Sequence, residues 1–473
     1  MILDSAAFDS KNPKLPDNLK TIMRLRQAAP VLHQARRRIS ALYVTGDKAK
    51  ENYAVLTPYM EFSKTLIDEQ DALRDNIAKR RLNLNPDEVL KKYEVYRSKE
   101  TLKADLELRR DQIAKEIKEL QKTKQDESIL QAKKHEGVEL RNSLKSLKEE
   151  LYPIEDDFVH NFLKLPNGLC QKTPVDESRI IYRQGLPKSI QEPHSHLDRK
   201  DLIDYRDPTC YYLKKEAAHF DYYTPFNCVQ RFLDSGYVQF VNPDFARTLL
   251  LEAASIDLNQ IEIVDEEDIK ESKVNLLHLT GGGSVASFLG FITKLSIFPT
   301  FLPLRFVASG REYIMQDEKP HRGLFTATQS NCIQTFIAAR DEDELDKEVE
   351  TALGLAIDLF RELDTHFRIV YLPAHQLTGA ESLRASIQMY SPIYNEYIEV
   401  GHLSNYSNYV SKRLLFNFKD GKSHKFPYIA AGSIMNVTRI IACLLENGRA
   451  LTVPRSSSEK DVDAIKDFKN LFA

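Results

Sequence analysis

The chain has 473 residues, 42% hydrophobic and 29% charged, enough for one large domain with an accessory element. Lys and Arg number 66 against 69 Asp and Glu, a net charge of -3, so no global basic field announces a nucleic-acid partner, though the sum is compatible with a local basic face. The apolar stretches are short and interrupted, which predicts no membrane-spanning helix, and the five cysteines (Cys170, Cys210, Cys228, Cys332, Cys443) lack CxxC spacing, which argues for a reducing compartment without a disulfide framework or zinc site.

Between Asp17 and Asp47 there is no acidic residue, while Lys20, Arg24, Arg26, Arg36, Arg37 and Arg38 interleave with Leu19, Ile22, Met23 and Leu25. An Arg-rich, acid-poor amphipathic start resembles a mitochondrial presequence, placed at 1–45; Asp4, Asp9 and Asp17 count against it, and the alternative is a basic first helix. Residues 46–165 are expected to form a helical domain. Leu140, Leu144, Leu147, Leu151 and Ile154 step by 4, 3, 4 and 3, a coiled-coil seam, and an earlier arm carries Leu102, Leu106, Ile113, Ile117 and Leu120. A polar stretch from Gln121 to Glu136, with Gly137 as breaker, separates the arms and predicts an antiparallel hairpin.

Residues 166–209 are rich in Pro, Gly, His and Asp and read as a linker into a domain at 210–473. There, helical stretches mix irregularly with strand-like runs at Tyr237–Val241, Phe367–Leu372, Tyr394–Val400 and Leu414–Phe418. That pattern predicts an α+β domain with a mainly antiparallel sheet rather than a doubly wound parallel one.

Several segments in this order resemble the seryl-tRNA synthetases, from about residue 100 to 455. LPNGLC (165–170) is similar to the segment after the family's coiled coil, and EPHSHLDRKDLIDY (192–205) to its Pro-His-x-x-Leu segment. Residues 210–243 resemble class II motif 1, a long helix, a strand and a proline, here Pro243. GREYIMQDEKPHRGLFTATQSNCIQ (310–334) resembles motif 2, and AAGSIMNVTRIIACLLENG (430–448) motif 3. EVGHLSNYSNYVSKRL (399–414) resembles the strand and helix between them. The resemblance implies a class II aminoacyl-tRNA synthetase-like antiparallel sheet domain with an N-terminal antiparallel helical coiled-coil hairpin.

Amino-acid activation brings two anions together, ATP and a carboxylate, so the site must neutralise charge. By resemblance, Arg311 matches the α-phosphate arginine, Arg439 the γ-phosphate arginine and Glu399 the metal-binding glutamate. Other positions depart from the pattern. Tyr313 stands for the glutamate that reads adenine, Ser330 for the ring that stacks on it, Thr326 for a second arginine, and Gln334 for the acid holding the substrate ammonium. In the serine pocket, Gly282 and Ser284 replace Thr-x-Glu, His402 replaces a serine, and Ala431 an asparagine. Each lost partner costs roughly 1–3 kcal/mol, so together they imply a pseudoenzyme of serine–tRNA ligase that needs no cofactor, with residual ATP or Mg²⁺ binding weighed as the weaker option. Gly281–Gly283 lack any GxxxxGKS or GxGxxG frame and read as a filled-in pocket, while His194 and His196 lack companions at ligand spacing and read as linker residues.

The motif 1 stretch, with Phe220, Phe226, Val229, Phe232, Leu233 and Pro243, is the expected dimer interface. Among relatives, the seryl-tRNA synthetase-like insect mitochondrial proteins fit best, and NYAVLTPYMEF (52–62) resembles the start of metazoan mitochondrial forms. That resemblance implies a mitochondrial matrix protein that pairs with the active mitochondrial seryl-tRNA synthetase as a heterodimer, and a Lon-type matrix protease as a further partner. The alternative is a mitochondrial tRNA- or RNA-binding module using the arm, which carries Lys115, Lys118, Lys122, Lys124, Lys133, Lys134 and Arg141 among near-balancing acids; a divergent active ligase ranks third.

Overall fold

A computed structural model describes residues 40–44, 55–123, 127–187, 192–264, 274–315 and 321–455. The presequence-like stretch 1–39 and Lys124 lie outside the described residues. In chain order, α1 (Gln70–Lys79) leads into the two long arms α2 (Pro86–Thr123) and α3 (Glu127–Phe162). Then come β1 (Arg179–Gln184), β2 (Ile203–Asp207), β3 (Cys210–Leu213), α4 (Lys215–Asp234), β4 (Val238–Phe240), β5 (Phe245–Arg247) and α5 (Thr248–Ala253). After β6 (Glu262–Ile263) and β7 (Leu277–Leu279) follow α6 (Val285–Ile292), β8 (Ser296–Ile297), β9 (Leu304–Tyr313), β10 (Gln329–Ala339) and α7 (Glu342–Arg361). The chain closes with β11 (Phe367–Tyr371), β12 (Leu383–Ser391), β13 (Glu396–Ser407), α8 (Tyr409–Leu414), β14 (Asn417–Asp420), β15 (Ser423–Lys425), β16 (Tyr428–Asn436) and α9 (Val437–Glu446).

The arms pair antiparallel along the expected seam. Ile113, Leu130, Leu144, Leu147 and Leu151 are buried in it, whereas Leu102 is half exposed. Crossed ion pairs flank the seam: Lys92–Asp157 at 2.8 Å, Lys99–Glu150 at 2.9 Å, Lys133–Glu116 at 2.8 Å and Lys148–Glu107 at 3.1 Å. Gly137 does not break the helix. It lies inside α3, because a Cβ there would meet Ile113 at an ordinary 3.7 Å, so nothing local forces a turn. Pro153 also lies within α3. At the foot of the hairpin Phe62, Tyr93, Tyr96, Phe158 and Phe162 stack together. Ala41–Val44, expected at the end of the presequence-like segment, are instead buried against this foot. Ser40 Oγ donates to Glu252 at 2.6 Å and Tyr43 Oη to Glu155 at 2.5 Å, tying that short piece to α5 and α3.

The main sheet has eight strands in the order β1-β11-β12-β13-β16-β10-β9-β4, antiparallel except where β4 pairs with β9. Residues 166–209 therefore hold more than a linker. The apolar Ile180-Ile181-Tyr182 run supplies an edge strand, and β2 and β3 form a hairpin. Period-2 alternation sorts the sheet residues to two cores. Phe306, Ala308, Phe336, Ala338 and Ala431 pack on the side of α5, α6, α8 and the hairpin foot. Val307, Ile333, Ile337, Ile387 and Leu403 pack on the side of α4, α7 and α9. The helices start where the sequence offers caps and charge. Asp341 accepts from Glu344 N at 2.9 Å with acids in the first turn of α7, and Asn436 accepts from Arg439 N at 3.0 Å at the start of α9.

Candidate functional site

The remnant site lies on the sheet face that carries Ala308 and Phe336. On β9, alternation sends Phe306, Ala308, Gly310 and Glu312 to this face, and Val307, Arg311 and Tyr313 to the other. Arg311 accordingly reaches away from Glu399. It pairs with Asp221 of α4 at 3.3 Å, under the motif 1 helix, and Asn331 Nδ2 donates to the Asp221 carbonyl at 2.7 Å. Burial pushes the Asp221 carboxyl up, with Arg311 pulling against it. The arginine expected on the α-phosphate is thus a strut between strand and helix. Gly310 takes its place on this face, beneath the Gly282–Gly283 turn, and Glu312 rather than Tyr313 presents an acid there. Burial raises the Glu312 carboxyl, opposed by nearby Arg439, and Cys332 Sγ lies 3.7 Å from it.

Glu399 and Arg439 do come together: Arg439 Nη1 donates to the Glu399 carbonyl at 3.1 Å. The Glu399 carboxylate itself is engaged by a residue that sequence reasoning missed. Arg384 of β12 donates one Nη to Glu399 and the other to Glu381 at 3.1 Å. Ser386 Oγ donates to Glu399 at 2.6 Å, Ser404 Oγ to Glu381 at 2.5 Å, and Thr378 N to Glu381 at 2.8 Å. Burial alone would raise the Glu399 carboxyl, but Arg384, His402 and the Ser386 hydrogen bond hold it at about 2. His402 lies 3.7 Å from Glu399; burial, then the Arg384 charge, draws it down to about 4, so it is neutral at neutral pH.

The remaining positions are locally satisfied. Gln334 and Ala431 are buried on the same face, and Ser330 sits in register with Glu312. Thr326 Oγ1 accepts from Arg322 N at 2.9 Å, closing the short Gly323–Thr326 turn. Ser284 caps α6. The Gly281–Gly283 turn lies flat on β9: a Cβ on Gly281 would meet the Arg311 carbonyl oxygen at 2.0 Å, and one on Gly283 the Gly310 oxygen at 2.5 Å. All three N–H groups are taken, by Asp244 O, Asp244 Oδ1 and Arg311 O, so none is free to cradle a phosphate. His194 is exposed. His196 is fully buried: Nδ1 donates to Glu446 at 2.7 Å and Nε2 accepts from Leu324 N at 3.1 Å, joining the segment before β2 to the motif 2 turn and α9. A cleft of about 720 Å³, lined by Lys64, Asn76, Cys170, Tyr409 and Arg413, lies between α1 and α8 and does not include the Glu399 network.

The fold family implies ATP with a divalent cation, and the residues do not fit one. A hard cation needs free carboxylate oxygens. Here both candidate carboxylates hold the same guanidinium, and the motif 2 arginine has left the pocket.

The motif 1 helix divides by face. Phe220 and Phe232 are fully buried in the chain's own core, and Val229 nearly so, so they are not interface residues. The helix packs by those positions, which leaves Tyr222 (74% exposed), Tyr223 and Phe226 (66% exposed) outward. Tyr212, Phe245 and Val241, the last 95% exposed, add to the exposed apolar residues, and Pro243 is exposed beside Val241.

Comparison with known proteins decides the family. The chain is 42% identical over 446 residues, 92% of its own length and 96% of the relative's, to the serine–tRNA synthetase-like protein Slimp of Drosophila melanogaster. The chain belongs to the serine–tRNA synthetase-like family. The class II core-domain family of tRNA synthetases (G, H, P, S and T) matches residues 291–448. The mitochondrial serine–tRNA ligase of Mus musculus is 22% identical, covering 85% of this chain and 82% of that one. The crystal structure of Pyrococcus horikoshii seryl-tRNA synthetase complexed with ATP superposes with a TM-score of 0.72 at 19% identity over 82% of this chain and 94% of that chain. The synthetase-like family thus keeps the class II sheet and the helical arm in this chain.

Proposed function

We propose that this protein is a non-catalytic subunit that pairs through its motif 1 face with an active seryl-tRNA synthetase and supports mitochondrial translation. The observation that carries the reading is the Arg384 guanidinium on Glu399 and Glu381, which satisfies the pocket's carboxylates from within. A site neutralised this way has no charge left to recruit a metal–nucleotide complex. The outward row of Tyr222, Tyr223 and Phe226 is the complementary sign. Large aromatics exposed together on one helix mark a surface that gains by being covered. Mitochondrial residence is supported by the Arg-rich start and by similarity to a mitochondrial ligase. A Lon-type protease as partner rests on resemblance alone.

Coexpression with the active mitochondrial enzyme, followed by size analysis, tests the pairing. A one-to-one complex is expected, lost on Tyr222→Asp with Phe226→Asp; separate elution of the unmodified chains ends the proposal. ATP–pyrophosphate exchange with serine tests inactivity, and turnover well above a no-enzyme control would reverse it.

A second reading has its own support. Lys134, Arg141, Lys145 and Lys148 recur at steps of 7, 4 and 3 along α3, so they share one face of the arm, which the overall charge conceals. An RNA grip there is expected to weaken steeply with salt.

A further inference from the structure

Two carboxylates from different parts of the chain converge on one cation. Glu381 precedes β12 and Glu399 lies on β13, and the guanidinium of Arg384 bridges them. Each acid is also fixed without it: Glu381 by Ser404 Oγ and Thr378 N, Glu399 by Ser386 Oγ. The oxygens are therefore pre-positioned, and Arg384 fits them incompletely, since its Nε is buried with no hydrogen-bond partner. The Arg384 guanidinium touches both carboxylates, while Arg439 reaches only the Glu399 carbonyl, at 3.1 Å.

We propose that Arg384 is a resident substitute for a divalent cation, so that this pocket is a latent metal site blocked by a side chain of its own. The inference deepens the non-catalytic reading above and rests on it. Oxygen donors from Glu381, Glu399, Ser386 and Ser404 suit a hard ion such as Mg²⁺ or Mn²⁺ once the guanidinium is gone, with His402 Nδ1 as an added ligand for Mn²⁺. Among the described residues no group of three or more His, Cys, Asp or Glu is gathered to hold an ion, and in the unmodified fold the guanidinium is what bridges the two carboxylates. Removing the arginine leaves two facing anions whose repulsion is relieved by taking up a cation.

The test uses Mn²⁺ itself, counted by the loss of its free paramagnetic signal, on the full chain. The unmodified protein and Arg384→Lys are expected to bind no Mn²⁺ that depends on Glu399. Arg384→Gln is expected to bind one ion, and to lose it in the Arg384→Gln, Glu399→Gln double variant. In parallel, Mg²⁺ should raise the thermal midpoint of Arg384→Gln by about 5 °C or more and leave the unmodified protein unmoved. Rescue of a poorly folding Arg384→Gln by Mn²⁺ is the same result. Glu399-dependent Mn²⁺ binding by the unmodified protein, or an Arg384→Gln variant indifferent to both metals, overturns the inference. Pyrophosphate exchange reads the non-catalytic assignment separately, so either can fail alone.

Discussion

At the scale of single residues, strand parity decides more than similarity does. Residues 310–334 resemble the family's motif 2, and that resemblance puts Arg311 and Tyr313 in the pocket. A one-residue change of parity flips a side chain to the other face, and a string of letters does not reveal it unless its neighbours' burial is known. The same applies to Arg384, which carries no motif and meets Glu399 only through the pairing of β12 with β13. The pocket's acid chemistry gives a first prediction. His402 is neutral in the fold but protonates near its ordinary value when unfolded, so the unfolded state binds the extra proton between about pH 6.5 and 4. Stability should fall as pH drops through that window. Glu399, held at about 2, adds a further loss from its ordinary value downward. Urea midpoints measured from pH 7 to 4 should show a shallower slope for His402→Asn than for the unmodified chain; equal slopes would remove His402 from the account. A second prediction separates two phenylalanines on one helix. Phe232→Ala empties a fully buried site and should cost about 3–5 kcal/mol in chemical denaturation, whereas Phe226→Ala should stay within about 0.5 kcal/mol while weakening association.

At the scale of elements, the seam of the hairpin was readable because a 4-and-3 apolar step has one physical solution. Its turn was not, because Gly137 looks like a breaker until its neighbour is known. The helix costs a glycine there without needing one. Gly137→Ala is therefore expected to stabilise the hairpin by about 0.5–1 kcal/mol, seen as a higher midpoint by circular dichroism. The opposite holds in the turn on β9. Gly281 has φ of +85° and no room for a methyl group beside the Arg311 carbonyl, so Gly281→Ala should cost several kcal/mol, roughly the sum of a strained backbone and a displaced strand. If Gly281→Ala unfolds at the same denaturant concentration as the unmodified chain, the turn is not clamped as described. His196 belongs to this scale too. Its Pro/His-rich surroundings suggested a linker, yet the ring is a buried bolt between three segments, a role that only the Glu446 and Leu324 contacts disclose.

At the scale of the whole molecule, the α+β class, the antiparallel sheet and the arm-then-domain order were legible, because apolar periodicity and the class II segments occur in a fixed sequence. The division of the sheet into two cores was not, since it depends on which helix covers which face. Helix α4 joins both concerns: its inner side completes one core and its outer side is left aromatic. Association should therefore bury aromatic surface without reorganising the fold, and mixing with the partner should leave far-ultraviolet circular dichroism additive while quenching tyrosine accessibility. A large non-additive change would mean that pairing and folding are coupled.

The stretch from Ser40 to Val44 has a wider consequence. It is a small rivet driven between arm and body, with its head on Glu252 and its shank beside Glu155. A truncation that stops short of Ser40 should leave the joint whole, whereas one that extends beyond Val44 should open an oily slot at the shoulder of the arm. The orientation of the arm is then set by Ser40–Val44, far along the chain from the arm's own tip.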